Sequence, residues 1–132
     1  VPVQLLVGRS HEALAACDVT LIASGTATLE AALFKRPMVI GYRSQRLNAV
    51  LFRHLSYLPY VGLPNILCRE FVVPEFLQEA CQPAALATAV LAQLDDAVGA
   101  ERLASRFTEL HLQLRRDTAR RATDAIAKIL EA

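Results

Sequence analysis

Ser24, Gly25 and Thr26 lie between an apolar run typical of a buried strand and a segment with helical periodicity. Where a parallel strand ends and a helix begins, the first N–H groups of the helix have no partner within it and face any ligand at that edge of the sheet. The helix dipole favours negative charge there, glycine lets the backbone approach closely, and the two hydroxyls add donors. The turn therefore has the chemistry of a phosphate-binding site.

Glu30 lies about one helical turn beyond Thr26, too far into the helix to act as a cap. Its carboxylate can accept two hydrogen bonds from a vicinal diol, as the acidic residue of a dinucleotide-binding fold does from a ribose. A phosphate at the turn and a ribose at Glu30 together describe a nucleotide. The same residues also fit an ordinary helix start and a solvated glutamate, so the pattern alone leaves both interpretations open.

Strands and helices alternate in the predicted elements of residues 1–72. Apolar runs predict strands over 2–7, 19–23, 37–43 and 60–67, the last ending at Leu63-Pro64-Asn65. Helices are predicted over 11–17, with Ser10 as N-cap, over 26–34, and along an apolar stripe over 47–55. Since the strands show little alternation of polar and apolar residues, they indicate a parallel sheet covered on both faces. The predicted fold class is α/β, a Rossmann-like parallel sheet flanked by helices.

Residues 73–132 are predicted to be an all-helical tail within the same fragment. Pro74 and Pro83 each mark a helix start, and residues 95–100, with Gly99, mark a break. The last two helices are defined by two apolar stripes: Leu103, Phe107, Leu110 and Leu114, then Ala122, Ile126, Ile129 and Leu130. We expect these helices to pack on the sheet or on a partner half of the protein.

The composition suits one domain with an aliphatic core. The chain has 132 residues, of which 54% are hydrophobic and 6% aromatic, and its formal net charge is +1. Its three cysteines favour a reduced compartment over a disulfide scaffold. There is no apolar run long enough to span a bilayer, and we expect neither a membrane span nor a signal peptide. Because the sequence opens at Val1 on an apolar run, we expect it to be a piece of a longer protein.

Several basic residues could bind anions. Arg43 directly follows a predicted strand and is a candidate for a substrate phosphate, whereas Arg46 and Arg53 fit either anionic lipid or a solvated helix face. A second cluster is interpreted as a solvated helix with internal ion pairs rather than a nucleic-acid site, because no aromatic residues interleave to stack bases. It consists of Arg115, Arg116, Arg120 and Arg121.

Longer motifs carry a resemblance to a known family. "ASGTATLEAALFKRPMV", followed by "LPNILCRE" and "FTELHLQLRRD", resembles the lipid-A-disaccharide synthase family, inverting glycosyltransferases of the GT-B fold. The resemblance covers nearly the whole chain and implies its C-terminal, nucleotide-sugar-binding half. One departure is visible: the family usually has an acidic residue before the first glycine, where this chain has Val7.

The resemblance implies a reaction and a set of binding residues. The family transfers 2,3-diacylglucosamine from UDP-2,3-diacylglucosamine to lipid X (2,3-diacylglucosamine 1-phosphate), giving lipid A disaccharide 1-phosphate and UDP, with no obligatory metal or other cofactor. Ser24, Gly25 and Thr26 would line the UDP phosphate and sugar site, and Glu30 would bind the ribose. Arg43 remains a candidate for binding a substrate phosphate. The motif "LPNILCRE" implies that three further residues face the substrate-binding cleft: Asn65, Arg69 and Glu70.

The family also implies a cellular setting and partners. It acts in the cytoplasm, peripherally on the inner membrane, and its members are known as homodimers that exchange C-terminal parts; no nucleic acid is expected. The general base and acceptor site belong to the N-terminal half, so we expect this fragment alone to be inactive and to self-associate. The alternatives are another GT-B enzyme of UDP-GlcNAc, a transferase or an epimerase, and a non-catalytic nucleotide-binding or assembly module.

Overall fold

The computed structural model describes residues 2–43 and 58–130, and these form a parallel sheet flanked by helices. The α/β class is therefore confirmed, and the arrangement is Rossmann-like with a helical C-terminal stretch. The elements, in chain order, are α1 Ser10–Ala16, β1 Thr20–Ile22, α2 Thr26–Leu33, β2 Met38–Tyr42, α3 Leu63–Cys68, β3 Glu75–Leu77, a 3-10 turn Gln78–Ala80, α4 Pro83–Asp95, α5 Ala97–Leu114 and α6 Thr118–Leu130.

The described sheet has three strands in the order β1-β2-β3, all parallel. Ile22 of β1 lies opposite Ile40 of β2, and Ile40 lies opposite Glu75 of β3. The central strand β2 is the most apolar, and its residues Met38, Val39 and Ile40 are fully buried. Because the strands are parallel, the residues that follow β1 and β2 lie at the same edge of the sheet.

The core lies where α2, α5 and β2 meet. Helix α5 presents three residues of its predicted stripe, Leu103, Phe107 and Leu110, and Phe107 has no exposed surface. They join a cluster that also contains Leu14, Ala31, Ala32, Met38, Ile40 and Val73. The core is almost entirely aliphatic, as the composition predicted.

The strand predicted over 2–7 is wrong. These residues have no regular structure, and Val3, Leu5 and Val7 are exposed. A strand requires a neighbour that accepts its backbone hydrogen bonds, and none of the described strands pairs with this segment. Apolar character alone was insufficient to identify a strand there.

Two further segments have the opposite secondary structure from the one predicted. The strand predicted over 60–67 is wrong, because Leu63–Cys68 is helix α3, with Pro64 in its first turn where the fixed φ of proline suits a helix start. The helix predicted from Pro74 is also wrong, because Glu75–Leu77 is strand β3, and Ile40 N donates to Pro74 O at 2.9 Å. A strand of the sheet therefore comes from the tail that was predicted to be all helical.

The remaining helices agree closely with their predicted positions. Ser10 is the first residue of α1 rather than its cap, and the N-cap Arg9 makes no side-chain capping bond. The break predicted over 95–100 shrinks to Asp96, which separates α4 from α5.

The predicted stripe over 47–55, with Arg46 and Arg53, lies outside the described residues. No residue of α6 is buried, and Ile129 and Leu130 expose 76% and 81% of their surface.

Asp96→Ala should lower the free energy of unfolding by about 1 kcal/mol, the usual effect of losing an N-cap side chain. Asp96 Oδ1 accepts a hydrogen bond from Gly99 N at 2.8 Å, and this bond satisfies one of the unpaired amides of α5. Urea denaturation measures the difference. Asp95→Ala is the matched control, because Asp95 is exposed at the last position of α4. Equal losses in the two variants would contradict a capping role.

Candidate functional site

The N-terminus of α2 is open toward solvent. Gly25 is its N-cap, with φ 131°, a conformation that favours glycine, and no described side chain caps the helix. Gly25 and Thr26 are exposed, and a Cβ on Gly25 would meet no described atom within 4 Å. The first backbone N–H groups of α2 are therefore open to a ligand, and the binding of a phosphate there stays a prediction.

Two hydroxyls connect the turn to Val61 and Leu63, at the start of α3. Ser24 Oγ donates to Val61 O at 3.3 Å, so this hydroxyl proton is directed toward the protein. Thr28, which is fully buried, donates through Oγ1 to Gly25 O at 2.7 Å and accepts from Leu63 N at 3.3 Å. Thr28 was missed by the sequence reasoning, although a hydroxyl three residues after a helix-start glycine is a recognisable signal.

Glu30 lies on α2 one turn from the open N-terminus, with 42% of its side chain exposed. Its Oε2 is 3.4 Å from Nε2 of His11 on α1, and the His11 ring lies 5.7 Å from the ring of Phe34. His11 is itself exposed, and no sequence motif indicated its contact with Glu30. The pair places a nitrogen donor beside the carboxylate, where both can reach a polar ligand.

Asn65 lies inside the protein rather than at the surface, and its amide makes four hydrogen bonds. Oδ1 accepts from the backbone N of Val72 at 2.8 Å and of Val73 at 3.0 Å. Nδ2 donates to Val73 O at 2.9 Å and to Glu75 Oε1 at 2.7 Å. An asparagine amide has two donors and two acceptor lone pairs, so these bonds use its full capacity. The structure does not bring Asn65 to the exposed turn.

The three remaining predicted site residues are exposed but lie in different places. Arg43 directly follows β2, at the same edge of the sheet as the turn after β1. Arg69 ends α3 with φ 58°, and its carbonyl accepts from Tyr60 Oη at 2.8 Å. Glu70 forms an ion pair with Arg106 of α5, with Oε1 2.8 Å from Nη2. Only Arg43 therefore joins the turn at the carboxyl edge of the sheet.

The other reactive groups show no separate chemistry. Burial raises the pKa of the Cys68 thiol, which keeps it protonated at neutral pH. Among residues 2–43 and 58–130, no group of three or more His, Cys, Asp or Glu side chains is arranged to hold a metal ion. None of the helices described here is long and apolar enough to cross a bilayer.

Comparison with known proteins agrees with the resemblance in the motifs. The family model described as lipid-A-disaccharide synthetase matches residues 1–130. A curated lipid-A-disaccharide synthase from Thiobacillus denitrificans is 59% identical over 99% of this chain and 35% of its own length. Those from Verminephrobacter eiseniae and Dechloromonas aromatica are 58% and 52% identical, over 97% and 98% of this chain and 34% of their own length. The chain thus spans about a third of the length of these relatives, and it belongs to the lipid-A-disaccharide synthetase family.

Proposed function

We propose that the chain is the nucleotide-sugar-binding part of an inverting glycosyltransferase of lipid A biosynthesis. The whole enzyme would transfer 2,3-diacylglucosamine from UDP-2,3-diacylglucosamine to lipid X, releasing UDP. Family membership supports this proposal. The observation that carries it is the open N-terminus of α2 at Gly25, one helical turn from the partly exposed Glu30.

The diphosphate would bind at the turn. The unpaired N–H groups of the first turn of α2 and the positive end of its dipole favour an anion, and Gly25 leaves room for close approach. The exposed Thr26 hydroxyl and Arg43 would add a donor and a positive charge. These groups would stabilise the negative charge that develops on UDP as it leaves. Ser24 can donate to phosphate only by giving up its bond to Val61, so we assign it chiefly to holding the turn.

The ribose would bind at Glu30. A carboxylate can accept both hydroxyls of a vicinal diol, and Glu30 lies about 6 Å along the helix from Thr26, since each residue rises about 1.5 Å. His11 would leave Glu30 or donate to the same ribose. We assign Asn65 to the frame below the site, meaning the residues that support the site without touching the ligand. Its amide is already fully hydrogen-bonded. Arg69 and Glu70, at the far end of α3 from the turn, would contact only the sugar or its acyl chains.

The rest of the reaction requires more than this chain. We propose that the general base and the lipid X site belong to the remaining two thirds of the enzyme. Contact with the cytoplasmic face of the inner membrane, and a homodimer with exchanged C-terminal parts, are proposed on the family resemblance. The exposed apolar residues of α6 support a further contact at that end of the chain.

A calorimetric titration of the chain with UDP tests the nucleotide site. We expect UDP to bind and Glu30→Ala to weaken binding at least about tenfold, because hydrogen bonds to a charged group contribute about 1.5–3 kcal/mol. Glu101→Ala is the control, since Glu101 is exposed on α5, away from the turn. If Glu30→Ala and the unmutated chain bind UDP with equal affinity, the assignment of the ribose to Glu30 is contradicted. No UDP binding by the unmutated chain would contradict a nucleotide site in this part of the enzyme.

A further inference from the structure

The carboxylate of Glu75 connects the sheet to the backbone that precedes α3. It accepts hydrogen bonds from Val61 N to Oε2 and from Gly62 N to Oε1, both at 2.8 Å. Oε1 also accepts from Asn65 Nδ2 at 2.7 Å. Charge-assisted bonds of this kind are stronger than bonds between neutral groups. One side chain of β3 thus fixes the start of α3.

The same backbone holds the proposed phosphate turn at two points. Val61 O accepts the Ser24 hydroxyl, and Leu63 N donates to Thr28, whose hydroxyl in turn donates to Gly25 O. The two connections start at Val61 and Leu63, the residues on either side of Gly62. The N–H of Gly62 donates to Glu75. A displacement of residues 61–63 would therefore reach both sides of the turn.

The Gly62 backbone lies close against two neighbouring side chains. Gly62 is buried, and a Cβ there would overlap the Ile40 side chain and lie 3.0 Å from Glu75 Oε1. The backbone of residues 61–62 is therefore confined between β2 and the Glu75 carboxylate.

We propose that Glu75 is a positioning residue for the nucleotide, although it lies on β3 and does not belong to the turn. By holding Val61 and Gly62, it fixes Ser24 and Gly25, and with them the amides of the first turn of α2. The proposal rests on the proposed function, because it assumes that the turn binds the diphosphate. The sequence motifs gave no indication of this role, since Glu75 was predicted to lie in a helix.

Glu75→Gln tests the connection with little change in size. The amide keeps one acceptor oxygen but turns an NH₂ group toward a backbone N–H, so one hydrogen bond to residues 61–62 is lost. We expect UDP affinity to fall about tenfold, within the range of coupling between residues of one hydrogen-bond network. Glu75→Asp, which keeps both acceptor oxygens, should lie between the Gln variant and the unmutated chain. Glu79→Gln, at an exposed position of the 3-10 turn, should leave affinity unchanged.

A double-mutant cycle distinguishes positioning from general damage. In a Ser24→Ala/Thr28→Val background both connections are already cut, so adding Glu75→Gln should change UDP affinity by less than about twofold. General damage would give the same loss in both backgrounds and would overturn the proposal.

Amide NMR of the ligand-free chain separates this proposal from the proposed function. Glu75→Gln should shift the Gly25 and Thr26 resonances, and Glu79→Gln should not. If the unmutated chain fails to bind UDP, the proposed nucleotide site is contradicted. The resonance shifts would still test the connection between Glu75 and the turn. Unshifted Gly25 and Thr26 resonances in Glu75→Gln would overturn it, whatever the affinity for UDP.

Discussion

Asn65→Ala should lower the free energy of unfolding by about 3 kcal/mol or more, because each buried polar group left without a partner costs about 1–3 kcal/mol. The substitution would leave the N–H and the carbonyl of Val73 without partners and would remove one hydrogen bond each from Glu75 and from the Val72 N–H, which keeps its bond to Glu70 O. Since Val73 is itself buried in the core, water cannot replace these partners without opening it. Urea denaturation followed by circular dichroism measures the loss.

The control for Asn65 is Gln113→Ala, which removes an exposed amide from α5 and should change stability by less than about 0.5 kcal/mol. The comparison also decides what Asn65 does. A variant that unfolds at the same urea concentration as the unmutated chain, yet loses UDP, would make Asn65 a ligand residue. Such a result would contradict its assignment to the frame.

Phe107→Ala should lower the free energy of unfolding by about 3–5 kcal/mol, the usual range for truncating a buried phenylalanine. Phe107 is fully buried and is the largest side chain of the core where α5 meets α2 and β2. Removing the ring leaves a cavity that the surrounding aliphatic side chains fill only in part. The change is read from the shift of the thermal or urea midpoint.

Leu112→Ala is the control for Phe107, because Leu112 lies on the same helix with 63% of its surface exposed. Both substitutions shorten an apolar side chain of α5, so they differ mainly in burial. Comparable losses from the two would mean that α5 does not close the core. A loss confined to Phe107→Ala would support the packing described here.

The elements nearest the proposed site were predictable because each has a strong local signal. The run before Ser24 and the run after Pro37 are β1 and β2, and Gly25 opens α2 as its position suggested. The stripe of Leu103, Phe107 and Leu110 marked the buried face of α5 through helical periodicity. In these segments, local propensity and tertiary packing favour the same structure.

The segments predicted wrongly are those where long-range contacts decide. Residues 75–77 form a strand because β2 offers a pairing edge, and nothing within the segment itself indicates this. Residues 63–68 are a short apolar run that fits a strand or a helix equally well by pattern. The network of Thr28, Asn65 and Glu75 joins residues far apart in the chain, so no local motif could predict it.

The three strands lie in the sheet in their order along the chain, so the sheet can form while the protein is being synthesised. Strands β1 and β2 can pair as soon as Tyr42 has left the ribosome, but Phe107 and Leu110 complete the core of β2 only after α5 is made. At about 5–20 residues per second, that delay is on the order of several seconds. During this interval Met38 and Ile40 remain without their final cover. The tail, which carries none of the proposed ligand contacts, thus sets the earliest time at which residues 1–72, with the proposed nucleotide site, can reach their final packing on a translating ribosome.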